Sequence, residues 1–236
     1  INKDITEEEI LRAAERAFDA GYSAVKLYFM LGLPTETEDD LAGICDICGK
    51  IRAIYSGKKR KKALRISVSV ATFVPKPFTA FQWEPQDSLE EMLRKQAYVG
   101  SCVRDRKVKY NHHDARTCRI EAVLARGDRR LCRVLEAAVA RGVKLDGWDE
   151  YFRYDLWIQA FRGVGVDPGF YTTRGFGTDE LLPWQTIDVG VTTKFLLHER
   201  EKALRSEATP DCRTHCNGCG ARMLSERRLC DESPIV

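Results

Sequence analysis

The first half of the chain alternates between amphipathic helical segments and strongly apolar segments. Thr6 opens a capping box that predicts a helix start, and a second helix is predicted from Thr37 to about Ser56. The apolar run 24–31 is typical of a strand that is covered on both faces, and residues 64–70 alternate apolar and polar side chains. This alternation of strands with helices predicts parallel pairing and an α/β fold.

The second half has a mainly helical pattern. Ser88 starts a helix that is predicted to run to about Arg106, and prolines and glycines predict ordered loops at 75–85 and 163–191. A short last strand is predicted at 108–112, and helices are predicted near 114–125, 128–141, 149–162 and 192–206. We therefore expect three regions, at residues 1–112, 113–208 and 209–236.

Composition narrows the class of protein. The chain has 236 residues, of which 44% are hydrophobic, so it can bury a core and global disorder is excluded. The net charge of +3 is too small to indicate a nucleic-acid partner. No apolar run approaches the roughly 20 residues of a membrane span, and the acidic residues near the start argue against a signal peptide. We expect a cytoplasmic protein with no membrane partner.

Nine cysteines are many for such a chain, and their odd number argues against a complete disulfide framework. Cys45 and Cys48 lie three residues apart on the apolar face of a predicted helix, which favours packed thiols over a redox pair. Isolated helical cysteines are interpreted in the same way, namely Cys102, Cys118 and Cys132. The remaining cysteines lie in the tail.

The cysteines of the tail have the spacing of a metal or cluster site. Cys212, Cys216 and Cys219 form a C-x3-C-x2-C pattern, and Cys230 follows. Soft thiolates on a glycine-bearing loop suit either an iron–sulfur cluster or a zinc ion, and His215 or Cys230 could close a zinc site. The alternative is three unrelated thiols.

The turn Gly32-Leu-Pro-Thr-Glu36 follows the first apolar strand and precedes a helix. Ligands of parallel α/β folds bind where strands end and helices begin, and Gly32 lets a backbone approach a ligand closely. We expect a larger residue at Gly32 to block a ligand and to leave the fold largely intact. The alternative is an ordinary loop, in which Glu36 only favours the helix dipole.

Gly-Leu-Pro-Thr-Glu-Thr after an apolar strand resembles the fifth-strand motif of radical S-adenosylmethionine (SAM) enzymes. The resemblance extends over residues 1–8, 73–86 and the stretch from 126 to the cysteine tail, and it points to a branch that often carries an upstream cobalamin-binding-like domain. It implies that residues 1–112 are the last strands and helices of a partial (β/α) barrel. It also implies that the chain is a fragment starting after a fourth strand, followed by a helical extension.

The resemblance implies SAM and a main 4Fe–4S cluster as cofactors, with a reductant such as ferredoxin or flavodoxin and the missing N-terminal half of the barrel as partners. The catalytic residues are unknown and are expected upstream. The tail trio follows the fifth-strand turn by about 180 residues, so the resemblance leaves it as an auxiliary iron–sulfur cluster or zinc site. Residues that the resemblance assigns to the SAM wall are Met30, Gly32, Pro34, Glu36, Val70 and Thr72.

A second hypothesis needs no catalysis. A zinc-stapled binding module, associated with RNA, could use the tail and the basic run Lys58–Lys62, although a solvated loop explains that run as well. The metal distinguishes the two hypotheses, because iron with sulfide favours the enzyme and zinc alone favours the module. The substrate is not encoded in any motif of this chain, and we expect the fragment alone to be inactive.

Overall fold

A computed structural model describes residues 3, 5–58, 62–103 and 105–221 of the chain. They form an α/β protein that divides into two compact units. The strand unit comprises residues 5–73 and 87–119, and the helical unit comprises residues 74–86 and 120–221. The sequence-based division at residue 112 therefore differs from the observed units, because the proline-rich segment 74–86 groups with the helical unit.

The strand unit alternates helices and strands as its hydrophobic pattern predicts. Its elements are α1 (Glu7–Asp19), β1 (Ala24–Leu31), α2 (Glu38–Ser56), β2 (Arg65–Thr72), α3 (Leu89–Cys102) and β3 (Val108–His112). All strand pairs are parallel, and the sheet order of the described residues is β1-β2-β3. The side chains of Thr6 and Thr37 complete the capping boxes at the starts of α1 and α2. The predicted α/β class and parallel pairing are confirmed.

One face of the sheet packs against helices, whereas the other face carries exposed side chains. Val68 and Val70 are fully buried in a core that α1, α2 and α3 share. Tyr28 on the opposite face is 73% exposed, so the prediction that β1 is covered on both faces is wrong. Strand alternation assigns one set of residues to this open face: Ala24, Lys26, Tyr28, Met30, Arg65, Ser67, Ser69, Ala71, Lys109 and Asn111.

The helical unit has its own apolar clusters. Its elements are the end of α4 (Ala115–Arg126), α5 (Leu131–Ala140), α6 (Tyr154–Val164), a 3₁₀ turn (Pro168–Phe170) and α7 (Thr193–Leu204). Trp157 and Phe161 of α6 pack in one cluster, and Trp83 packs with Phe176 and Trp184 in another. Because Trp83 comes from the proline-rich segment, that segment supplies core residues.

Cysteine placement differs in part from the expectation of packed thiols. Cys48 and Cys118 are buried, but Cys132 is exposed. Cys45 pairs with Cys102 in a disulfide that joins α2 to the end of α3, with their Cα atoms 6.0 Å apart. Periodicity within one helix does not reveal a partner that lies 57 residues away, and this is why the pairing was missed.

No helix in the described ranges combines the length and the apolar character that crossing a bilayer requires.

Candidate functional site

The candidate site lies at the carboxyl edge of the sheet. Leu31 pairs with Thr72, and Val70 pairs with His112, so the three strands end at the same edge. The turn from Gly32 to Glu36 leaves this edge and leads directly into α2. The sequence therefore places the predicted turn where parallel folds bind ligands.

Glu36 folds back over the turn. The backbone N–H of Gly32 donates to both carboxylate oxygens of Glu36, at 2.9 Å each. Gly32 has a φ of +82°, and a Cβ atom there would lie 2.9 Å from Oδ2 of Asp87. Because Gly32 has no side chain, the carboxylate of Asp87 fits beside the turn. The positive φ and this contact predict strain for a larger residue, and the expectation that the fold stays largely intact remains a prediction.

Lys95 of α3 stabilises this turn through two ion pairs. Its ammonium lies 2.8 Å from Oε1 of Glu36 and 2.8 Å from Oδ2 of Asp87, and its side chain is only 10% exposed. Burial opposes the charge on Lys95, but the hydrogen bonds to Asp87 and Glu36 outweigh that cost, and its pKa is raised. Glu36 is therefore part of a buried ion-pair cluster and does more than favour a helix dipole.

Gln96, the next residue of α3, ties together the other two strand ends. Its side-chain Nε2 donates to Oγ1 of Thr72 at 3.2 Å and to the carbonyl of His113 at 2.9 Å. The backbone N–H of His113 in turn donates to the carbonyl of Val70 at 3.1 Å. Lys95 and Gln96, which are consecutive in α3, thus fix the ends of all three strands.

A cleft of about 440 Å³ lies beside the turn, between β1 and α2. Met30, Leu33 and Pro34 line it from the strand end, and Ile44 and Ile47 line it from the helix. Acidic side chains at the start of α2 border the same cleft, so its lining is apolar with a negative rim. Among the described strands, β1 pairs on one side only, and the cleft lies next to this strand.

The predicted wall residues fall into two groups. Met30 and Pro34 present surface to the cleft, as does part of Glu36. Val70 and Thr72 are 1% and 7% exposed, and their side chains belong to the buried face of β2. Because strand alternation reverses the face at each residue, Ala71 is the residue of this strand end that belongs to the open face.

The cysteine tail is anchored by hydrogen bonds. Thr192, the N-cap of α7, donates its backbone N–H to the carbonyl of Cys219 at 2.9 Å. Gly220 has a φ of +98°, and a Cβ atom there would lie 2.7 Å from the carbonyl oxygen of Gly190. At the other end of the loop, Thr209 donates to Glu199 of α7 at 2.8 Å. These contacts order the tail without a core of its own.

The tail thiols stand open to solvent. Cys212 and Cys216 are exposed and Cys219 is half-buried. Among the described residues, no group of three or more metal-binding side chains converges, so the chemistry of the thiols fits a soft metal but their arrangement does not yet form a site. The fourth predicted ligand, Cys230, lies outside the described residues. The tail metal site stays a prediction.

Part of the chain is similar to a known archaeal protein. It is 30% identical over 136 residues to an uncharacterized protein of Methanocaldococcus jannaschii. The similarity covers 58% of this chain and 28% of that relative, so this chain spans much less than two thirds of the relative's length. No family model matches the chain, and no solved structure matches it.

Sequence reasoning missed the residues that hold the turn. Lys95 and Gln96 lie between Met92 and Val99 on the buried face of α3, where apolar side chains are the rule. Polar residues at such positions signal a buried polar network, and this signal was readable in the sequence. Asp87 offers no comparable signal, because it precedes the Ser88 cap like any loop residue.

Proposed function

We propose that this chain is part of a radical SAM enzyme and contributes one wall of the SAM site. The observation that carries the proposal is the Gly32–Glu36 turn, which leaves the carboxyl edge of a parallel sheet beside an apolar cleft. The proposed reaction is one-electron reductive cleavage of SAM to methionine and a 5′-deoxyadenosyl radical, which would abstract hydrogen from a substrate. A reductant such as ferredoxin or flavodoxin supplies the electron, and the cytoplasm is the proposed compartment.

The residues of this chain have binding and positioning roles in this proposal. Met30 and Pro34 offer apolar surface to a neutral adenine ring. Lys95 fixes the turn through Glu36 and Asp87, so that this surface is preorganised. SAM and its 4Fe–4S cluster supply the radical chemistry when bound, whereas this chain orients the cofactor and excludes water. Gly32, Val70 and Thr72 support the wall from within.

The proposed barrel requires strands beyond those described. One side of β1 has no strand partner among the described residues, and an apolar cleft lies next to it. A strand from an N-terminal half of the barrel would satisfy the backbone groups of this edge. The similarity to a much longer relative supports the presence of further sequence in the working protein.

The test uses the full-length protein that contains this chain. Anaerobic reconstitution with iron and sulfide, reduction with dithionite and incubation with SAM should yield 5′-deoxyadenosine, measured by mass spectrometry. The 236-residue chain alone should yield none. A Met30→Trp variant should bind SAM about ten- to hundredfold more weakly by steric exclusion from the wall. Val139→Trp, at a 69% exposed helical position, is the matched control.

A reconstituted full-length protein that forms no 5′-deoxyadenosine contradicts the enzyme proposal. Product formation by this chain alone that is lost in Cys212→Ser would instead make the tail the catalytic site. Equal SAM affinity in Met30→Trp and in Val139→Trp would remove the turn from the cofactor wall.

The second candidate is a zinc-stapled binding module. It is favoured by the anchored tail, which presents Cys212, Cys216 and Cys219 on one short loop. Elemental analysis of anaerobically purified protein should find iron with sulfide for an auxiliary cluster, or zinc alone for the module. The triple Cys→Ser variant should lose that metal, and Cys132→Ser, at an exposed cysteine outside the tail, should retain it.

A further inference from the structure

The open face of the sheet changes in chemical character along its strands. From the amino to the carboxyl ends, the side chains are first cationic, then neutral and polar, then apolar. The first row holds Ala24 and Arg65, and the second holds Lys26, Ser67 and Lys109. The third row holds Tyr28, Ser69 and Asn111, and the last holds Met30 and Ala71. A face with this gradient matches a ligand that is anionic at one end and apolar at the other.

Two of the cations flank a hydroxyl in one cross-strand row. Lys26 aligns with Ser67, and Ser67 aligns with Lys109. Two strand spacings separate the lysines, which puts their Cα atoms roughly 10 Å apart. Asn111 donates to Oγ of Ser67 at 3.4 Å, so the hydroxyl hydrogen of Ser67 remains available to a further acceptor.

The strand residues of this row contribute positive charge and no negative charge. The strand residues of the open face include no Asp or Glu. Among the described residues, Lys26, Arg65 and Lys109 make no ion pair, whereas Lys95 on the other side of the sheet is paired with two carboxylates. The ammonium of Lys26 lies over the ring of Tyr28, 4.7 Å from the ring centroid.

We propose that this row binds the phosphate group of a small organic phosphate. Lys26 and Lys109 supply charge from both sides, and Ser67 donates a hydrogen bond from the centre. The exposed ring of Tyr28 then contacts the organic part of the ligand along the strands. This site goes beyond the SAM wall, which lies at the opposite end of the sheet.

The arrangement fits a small molecule better than a nucleic-acid strand. A polynucleotide requires cations along the whole track of its backbone, interleaved with stacking rings. Here the cations are confined to the amino end of the face, and Met30 with Ala71 at the other end offers nothing to a phosphate. The cationic positions can therefore bind one anionic group and leave none for a second phosphate.

The gradient also gives the ligand a direction. Its phosphate end lies at the amino end of the strands, and its apolar end points toward the carboxyl edge. In a radical SAM enzyme the reacting carbon would then belong to the apolar end of the substrate. This last step rests on the proposed function, whereas the binding itself does not.

The experiment is a calorimetric titration of the 236-residue chain with phenyl phosphate at low salt. Lys26→Gln and Lys109→Gln should each weaken binding about tenfold, since a charge-assisted hydrogen bond is lost. Lys144→Gln, at an exposed lysine of the helical unit, is the control and should bind like the unmodified chain. Tyr28→Ala should weaken the binding of phenyl phosphate more than the binding of inorganic pyrophosphate.

Four outcomes would overturn the proposal. The first is that phenyl phosphate shows no measurable binding, and the second is that Lys144→Gln weakens binding as much as Lys26→Gln does. The third is that Tyr28→Ala has equal effects on both probes. The fourth is that uridine oligomers bind more tightly than phenyl phosphate, with an affinity that rises with their length. The SAM assays of the full-length protein do not depend on any of these results, so the two proposals fail separately.

Discussion

At the scale of single residues, Lys95 has a large predicted effect on stability. Replacing it with Met leaves the buried carboxylate of Glu36 and that of Asp87 without a cation. Breaking a buried pair in this way costs about 3–5 kcal/mol. We expect Lys95→Met to lower the urea-unfolding free energy by that amount, whereas Lys50→Met, at a 48% exposed lysine, should change it by less than about 1 kcal/mol.

The effect of Lys95 has a defined pH dependence. Its pKa is raised in the folded protein, so its contribution is complete below the unfolded lysine pKa and is lost as pH rises through the folded pKa. The stability difference between wild type and Lys95→Met should be constant from about pH 6 to 9 and shrink at higher pH. A difference that instead vanished on mild acidification would contradict the assigned role.

Alanine substitutions at Gly32 and Gly43 should have opposite effects on stability. Gly32→Ala forces a side chain into a positive φ and toward Asp87, which should cost about 2 kcal/mol or more. Gly43→Ala meets no atom within 4 Å and lies inside α2, so it should stabilise by about 0.5–1 kcal/mol. Thermal unfolding measures both. Equal effects would mean that the turn tolerates a side chain.

At the scale of elements, the Cys45–Cys102 disulfide joins two helices that both pack on the sheet. Closing a loop of 57 residues stabilises by about 4 kcal/mol in the chain-entropy account. Oxidised protein should therefore unfold at higher urea than protein held in dithiothreitol. Cys45→Ser should abolish this dependence on reductant, and Cys132→Ser, at an exposed cysteine, should preserve it. Reductant-independent unfolding of the oxidised wild type would exclude the bridge.

At the scale of the whole molecule, each unit has a core of its own. Trp83 is 2% exposed, accepts a backbone hydrogen bond from Phe176 at 2.8 Å and lies in the cluster with Trp184. Trp83→Ala should cost about 3–5 kcal/mol, and hydrogen exchange should rise first in the helical unit. Trp148→Ala, at a 62% exposed position, should leave exchange unchanged. Loss of protection that began in β2 would contradict this assignment.

The sequence by itself determined the local elements of this protein. Capping boxes at Thr6 and Thr37 and the alternation in β2 predicted the helices and strands, because caps and periodicity are properties of neighbouring residues. The parallel arrangement also followed, since each strand is separated from the next by a helix. Local sequence does not fix the end of every helix: α3 stops at Cys102, four residues before its predicted end.

Only the tertiary structure decided which residues act together. Lys95 reaches Glu36 across 59 positions of sequence, and Cys102 reaches Cys45 across 57, distances over which no local pattern operates. The open face was likewise hidden, because an apolar run such as 24–31 fits a strand with one or two covered faces. Which face is covered depends on the elements that pack against it, and the cationic row became visible only when the register aligned Lys26 with Ser67 and Lys109.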